Sequence, residues 1–223
     1  MVGKVSGFAV PIARVNETLG RIFTPDHLRG LWLGARVRLD GDRLRLARVE
    51  LNSPAFKAGL RAGDTVLEVN NRPVANYIDW AKEVAGRGLA TVKFKIFRGG
   101  RVVPVTVTLL AEEKVFNSEL LEKRLGINVR TLTERLSKQL GMSFYGGYLI
   151  TDVEKNGPGE KAGIERGAVI QRVDDQQPES LVALARDIHS RKAGAMVKLS
   201  VVWEIRRGAF LQRRTGSANV KIR

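Results

Sequence analysis

Two hydrophobic periods alternate along this chain, and the alternation is written twice. Over Trp32–Leu39 and again over Leu44–Leu51, apolar positions alternate with Arg36, Arg38, Arg45 and Arg48, the two-residue period of a strand with one buried face. Asp40-Gly41-Asp42 between them predicts a hairpin turn. Lys57 to Leu60 is one short helical turn exiting through Gly59, Thr65–Val69 is a strand, and Asn70-Asn71 turns the chain again. From Ala75 to Ala85 the period changes: Tyr77, Trp80, Ala81 and Val84 recur at helical spacing. Strand patterns return over Thr91–Phe97 and Arg101–Leu110, joined by Gly99-Gly100. The second half repeats this order and adds an amphipathic helix over Leu132–Leu140, ended by Gly141. Its closing strands fall at Val197–Ile205 and Ala218–Ile222. The expected class is α+β, mainly β: two partly open β-barrels, each capped by a long and a short helix.

The repetition is visible residue by residue. A shift of 104 positions carries Asn52 onto Asn156, Pro54 onto Pro158, Lys57 onto Lys161, Ala58-Gly59 onto Ala162-Gly163 and Gly63 onto Gly167. The same shift lays the helical pattern from Asp79 over the one from Ala183. Leu33-Gly34 and Leu125-Gly126 precede the two copies, and the second copy has the longer insertion before its Pro. Charged Glu112 to Lys114 and the turn around Asn117 mark the joint. The expected divisions are a leader over 1–29 and units over 30–112 and 118–223.

Composition narrows the options without choosing among them. At 223 residues there is room for two domains of about 100 residues each. With 43% hydrophobic and 27% charged residues, wholesale disorder is excluded. The absence of Cys removes disulfides, thiolate metal sites and a cysteine nucleophile. The formal charge of +15 attracts nucleic acid, anionic lipid or acidic peptides, but the cations are scattered among apolar positions and read as solvated strand faces. No apolar run approaches the roughly 20 residues of a membrane span. Met1 to Val10 lacks the sustained apolar core of a signal peptide. On that reading the chain is either cytosolic or a piece of something longer whose leader lies elsewhere.

The segment Ser53-Pro54-Ala55-Phe56-Lys57-Ala58-Gly59-Leu60-Arg61-Ala62-Gly63-Asp64 resembles a PDZ domain. The pair of units is similar to the circularly permuted PDZ domains that follow the trypsin-like domain of HtrA/Deg envelope serine proteases. The Leu132–Leu140 helix fits the same resemblance, as does Ser6-Gly7-Phe8-Ala9-Val10-Pro11-Ile12, which is similar to the last strand of that protease domain. Arg14 to Ile22 then looks like the helix leading to the first unit. Gly167-Ala168 departs from the pattern, because Asp is expected where Ala168 stands.

The resemblance implies a fold of two PDZ-like partly open barrels and a role in binding peptides, protein C-termini or unfolded chains. A ligand would add as a strand beside the long helix, with its carboxylate in a turn of backbone N–H groups. The first groove would then be lined by Trp32, Leu33, Gly34, Ala35, Val37, Tyr77 and Ala81, with Trp80 and Val84 turned inward. The second would be lined by Arg124, Leu125, Gly126, Ile127, Val129, Leu181 and Ala185, with Leu184 and Ile188 inward. Alternatives stay open at several positions. Leu33 and Leu125 also read as plain core residues before a glycine. Trp32 is either a pocket wall or a shield on the leader, and Arg124 either favours a carboxylate or is simply solvated.

Catalysis is not expected of this chain. A serine protease needs a Ser nucleophile, a His base and an orienting Asp. The family's Gly-Asn-Ser-Gly-Gly segment is absent, and neither His27 nor His189 has a motif-matched Ser. No catalytic residue, metal or cofactor is assigned; a longer parent carrying a protease domain could be a serine endopeptidase. The resemblance also implies the periplasm or cell envelope and a role in protein quality control. The competing reading is a polyanion binder, motivated by the charge alone, with no recognised nucleic-acid fold behind it.

Overall fold

The computed structural model describes residues 30–84, 86, 90–207 and 210–223, with positions 11, 14, 15 and 18, and the backbone alone at 205–207, 210 and 211. The Ser6–Ile12 segment beyond Pro11, His27, and most of the helix expected from Arg14 to Ile22 lie outside the described residues. The chain divides into two compact units, Met1–Glu112 and Glu113–Arg223.

In the first unit β1 (Leu31–Trp32) pairs with β8 (Leu110–Ala111). A separate sheet runs in the order β2 (Ala35–Asp40), β3 (Arg43–Val49), β4 (Thr65–Val69), β6 (Thr91–Arg98) and β7 (Arg101–Thr108), with β5 (Arg72–Pro73) on β4. Both sheets are open. The two-residue period works as the sequence predicts: Val37 faces Leu46 and Leu39 faces Leu44 across the hairpin, so Val37, Leu44 and Leu46 bury on one face while the arginines stay outside. The core adds Val66, Val92, Phe94, Ile96 and Val107.

Helix α1 (Pro54–Lys57) starts because the Ser53 hydroxyl accepts from Phe56 N–H at 3.1 Å and Pro54 needs no N–H partner in the first turn. Helix α2 (Tyr77–Val84) starts where the Asn76 side chain accepts from Ile78 and Asp79 N–H, both at 2.9 Å. It buries Trp80 against Phe94, ring centroids 5.7 Å apart.

The second unit has one open sheet in the order β13 (Phe210–Lys221), β12 (Met196–Arg207), β11 (Val169–Val173), β10 (Tyr148–Val153) and β9 (Ile127–Thr131). Its closing hairpin is longer than the sequence pattern suggests, since register pairing runs from Met196↔Lys221 to Arg207↔Phe210. A helix also stands where the sequence reading has only a joint. Helix α3 (Ser118–Leu125) begins at Asn117, whose side chain accepts from Leu120 N–H at 3.2 Å, and ends at left-handed Gly126. The insertion forms α4 (Glu134–Leu140), capped by Thr133 and closed by Gly141. Helices α5 (Pro158–Lys161) and α6 (Leu181–Ser190) match α1 and α2 of the first unit. No helix among the described residues is long and apolar enough to cross a membrane.

Three carboxylates of this unit titrate below their ordinary range. The Lys198 backbone N–H and then Arg191 hold Asp174 down against its partial burial. The Arg223 guanidinium hydrogen-bonds Glu154 and lowers it. Burial opposes ionisation of Glu204, but the Ser143 hydroxyl and N–H and Arg213 outweigh it and lower the group. A carboxylate lowered on folding contributes stability above its unfolded value and loses it as pH falls through the folded one. The second unit should therefore weaken as pH drops below the ordinary 4.5 of Glu and 3.8 of Asp. Urea titrations at neutral and successively lower pH, followed on second-unit amides, check this; a midpoint that does not fall in acid would contradict it.

Candidate functional site

Edge strands are where an open sheet can accept another chain. In each unit the strand that follows the Leu-Gly turn is such an edge. Strand β2 has β3 as its one ladder neighbour among the described residues, and β9 has β10.

The direction of the edge groups follows from the hydrogen bonds. Gly34 C=O accepts from Glu50 N–H at 2.8 Å, so position 34 faces β3. Alternation along the strand then turns Ala35, Val37 and Leu39 N–H and C=O towards the open side. The Leu39 N–H confirms the parity, because it leaves the sheet to donate to the Tyr77 hydroxyl at 3.0 Å. That bond also brings α2 beside β2.

The turn before β2 is held from behind. Leu33 C=O accepts from Ala55 N–H at 3.0 Å, and Gly34 C=O is taken as described. In a trans peptide the next N–H points opposite to the carbonyl, so the Gly34 and Ala35 N–H groups both turn away from the body of the unit. The left-handed φ of 72° at Gly34 makes this curl possible. Two adjacent outward N–H groups form a concavity suited to an anionic oxygen.

The remaining first-unit residues sit as follows. Trp32 pairs with Leu110 in the small β1–β8 ladder and is buried, as is Leu33. Ala35, Val37, Tyr77 and Ala81 are also buried. Tyr77, Trp80 and Val84 belong to the main apolar cluster of the unit, and Ala81 is buried outside that cluster.

The second unit repeats the frame but fills it differently. Gly126 C=O accepts from Glu154 N–H at 2.8 Å, so Ile127 and Val129 face outward as Ala35 and Val37 do. Val129 N–H, however, donates to the Ser118 hydroxyl at 2.7 Å. Arg124 does not point at a carboxylate site: its guanidinium donates to Arg223 C=O and, at 2.5 Å, to Arg191 C=O. Leu125, Gly126, Ile127, Val129 and Ala185 are buried, and Leu181 is half-buried. His189, the histidine weighed earlier as a catalytic group, lies edge-on to Phe116 with centroids 5.4 Å apart.

Ser118, Phe116 and the Tyr77–Leu39 bond were not singled out from sequence. The α3 contacts had a readable signal: Asn117 as a cap, Leu121 and Leu125 four apart, and Gly126 as a stop.

The family described as PDZ domain matches residues 32–109 and again 123–209. A probable periplasmic serine endoprotease, DegP-like, of Chlamydia pneumoniae is 26% identical over 196 residues, which cover 82% of this chain and 40% of that protein. The similarly described protein of Pseudomonas putida (strain W619) is 28% identical over 211 residues, covering 87% of this chain and 41% of that one. The chain thus spans about 40% of the length of these curated relatives. A solved HtrA-type protease, AlgW with decapeptide, is 19% identical with a TM-score of 0.37, covering 87% of this chain and 61% of that one.

Proposed function

Because the chain belongs to the PDZ-domain family, we propose that it is a peptide-binding, regulatory region whose first unit takes chain ends by strand addition along β2. The observation that carries this is the outward pair of backbone groups at Ala35 and Val37, on an edge strand beside α2. A ligand strand would donate to Ala35 C=O and exchange N–H···O=C bonds with Val37, and its terminal carboxylate would meet the Gly34 and Ala35 N–H groups. Backbone pairing gives affinity with little regard for sequence; the apolar surroundings of Ala35, Val37 and Ala81 favour an apolar end. Pairing stops at Leu39, whose N–H already has the Tyr77 hydroxyl.

On this reading the working boundaries are 30–112 and 118–223. The region would act in the periplasm, beside a serine endopeptidase domain of the kind its relatives are named for, in protein quality control. Its ligands would be exposed C-termini or unfolded segments.

Val37→Pro tests the proposal. Proline at an edge position whose N–H faces outward removes that donor and leaves the β2–β3 ladder intact. The affinity for a peptide ending in apolar residues should fall at least about tenfold, roughly 1.4 kcal/mol. First-unit amide signals should keep their dispersion. Unchanged affinity in a folded variant would sink strand addition at β2. Titrating the wild-type chain with the same peptide and with duplex DNA at two salt concentrations separates the charge-driven reading: polyanion binding falls steeply with salt, whereas apolar strand pairing does not.

A further inference from the structure

We infer that α3 is a removable plug, which fills the second unit's β9–α6 groove in cis so that this groove takes an apolar chain end only when α3 leaves it. The inference rests on the strand-addition reading to the extent that β9 and α6 are taken as groove walls equivalent to β2 and α2.

The contacts of α3 reach both walls. On the β9 side the Ser118 hydroxyl accepts from Val129 N–H at 2.7 Å and donates to Asn128 Oδ1 at 2.8 Å. One helical turn on, Glu122 accepts from Asn128 Nδ2 at 3.0 Å. On the α6 side the Phe116 ring lies against His189, and the Arg186 guanidinium sits 5.6 Å from the Phe116 centroid. Arg124 reaches the Arg191 carbonyl just past the end of α6. Leu121 and Leu125, one turn apart on one face of α3, are fully buried, and so is Ala185 on the groove face of α6.

This arrangement excludes a ligand at the position that matters. A backbone N–H has one proton to give, and Val129, the counterpart of Val37, gives it to Ser118. In the first unit no described residue accepts from Val37 N–H; the hydroxyl from α2 is spent two residues further on, at Leu39.

The plug is also built to be exchangeable. Eight residues make a helix about 12 Å long, too short to be stable in water without its packing. Its outer face carries Glu119 and Lys123, both exposed. What fills the groove itself is an apolar set (Phe116, Leu121, Leu125) and an acceptor for Val129, beside the polar ties of Glu122 and Arg124. An extended chain end with apolar side chains offers the same two things, a carbonyl for Val129 and apolar groups for the space vacated. Swapping one acceptor for another on the same N–H is close to neutral. The apparent affinity of the second groove is therefore the intrinsic one reduced by the fraction of time α3 is undocked, about a hundredfold if that fraction is about 1%.

The test uses the full chain, isotope-labelled, and a synthetic peptide ending in Val-Leu-Val with a free carboxylate. Asn117→Ala with Ser118→Ala removes the helix cap and the edge acceptor while leaving the apolar core untouched. Val129 N–H exchange should rise at least tenfold in the variant, with Val201 on the interior strand β12 unchanged, which separates undocking from unfolding. In wild type, peptide should shift Ala35, Val37 and Ala81 first, and Ile127, Val129 and Ala185 only at concentrations at least tenfold higher. The variant should lower the concentration needed for the second set at least tenfold, and Ser118→Ala alone should move both readouts the same way by less. The inference is overturned if Val129 exchange rises but the second set still does not respond, or if wild type responds equally at both sets. Silence at the first-unit residues with the second-unit response intact would instead sink only the proposal for β2.

Discussion

Gly34→Ala is expected to destabilise the first unit by roughly 2–5 kcal/mol, from a left-handed backbone penalty of about 1–2 and overpacking of about 1–3. A Cβ at position 34 would stand 2.1 Å from Ser53 Cβ and 2.7 Å from Ser53 Oγ, with φ at 72°. Ser53 has little room to yield. Its hydroxyl caps α1, its N–H donates to Glu50 C=O at 3.2 Å, and its carbonyl accepts from Lys57 N–H at 2.9 Å. The Leu33-Gly34 turn and the start of α1 are thus one packed joint, and a substitution at Gly34 cannot probe ligand binding while leaving the fold alone. Gly126 is the internal control. Its φ is 67°, but a Cβ there would meet Arg223 Nη2 at 2.9 Å, Pro158 Cδ at 3.0 Å and Glu154 Oε2 at 3.2 Å, two of them ends of flexible side chains. Gly126→Ala should therefore cost the second unit nearer the backbone term alone, about 1–2 kcal/mol. Urea unfolding followed on amide signals of each unit gives both numbers. Equal losses at the two glycines, or a loss under about 1 kcal/mol at Gly34, would contradict the role assigned to Ser53.

The second large effect is expected at Asp64. Only 2% of its surface is exposed, and its carboxylate accepts from Arg61 N–H at 2.8 Å and from Arg98 Nε and Nη2, each at 2.6 Å. This two-pronged pairing ties the loop after α1 to the end of β6. It also raises the Arg98 guanidinium further above its ordinary range. Asp64→Ala leaves the Arg61 N–H without its acceptor and takes from the Arg98 guanidinium its carboxylate, leaving it the Gly59 carbonyl at 2.8 Å. Breaking a buried pair costs about 3–5 kcal/mol, and the low end applies because Arg98 keeps 29% of its side-chain surface in water. With Arg98→Met already in place the same substitution should cost clearly less, and this double-mutant cycle isolates the pair. Additive losses would show that Asp64 acts through Arg61 N–H alone. The second unit manages without the pair: Ala168 stands at the matching position and is fully buried. The missing Asp noted in the sequence is thus a local replacement of an ion pair by apolar packing, with the sheet continuing through Val169.

How much of this was legible beforehand depends on the range of the interaction involved. The strands at Thr65–Val69 and Thr91–Phe97, the helix around Tyr77 to Val84 and the duplicated Pro-to-Gly segment were readable because each rests on neighbours a few residues away. A period of two or 3.6 and a turn residue with positive φ carry their own explanation. From these the α+β class and the repeated unit follow by sequence alone, and the match of the family to both halves agrees.

Only tertiary structure decided what each groove contains. Which backbone groups of β2 and β9 face outward depends on register with β3 and β10, fixed by bonds such as Glu50 to Gly34 and Glu154 to Gly126. The two Leu-Gly turns look alike in sequence. Yet a hydroxyl eleven residues before Val129 takes its N–H, whereas the hydroxyl that reaches β2 comes from Tyr77, 38 residues after Leu39, and takes a different position. Arg124 is the clearest case. Its place next to the turn leaves a carboxylate partner and a solvated side chain both open, but the carbonyls of Arg191 and Arg223, 67 and 99 residues away, claim it. Local pattern sets which residues can bury or turn; which polar group each one meets is settled by chain segments that pattern does not bring together.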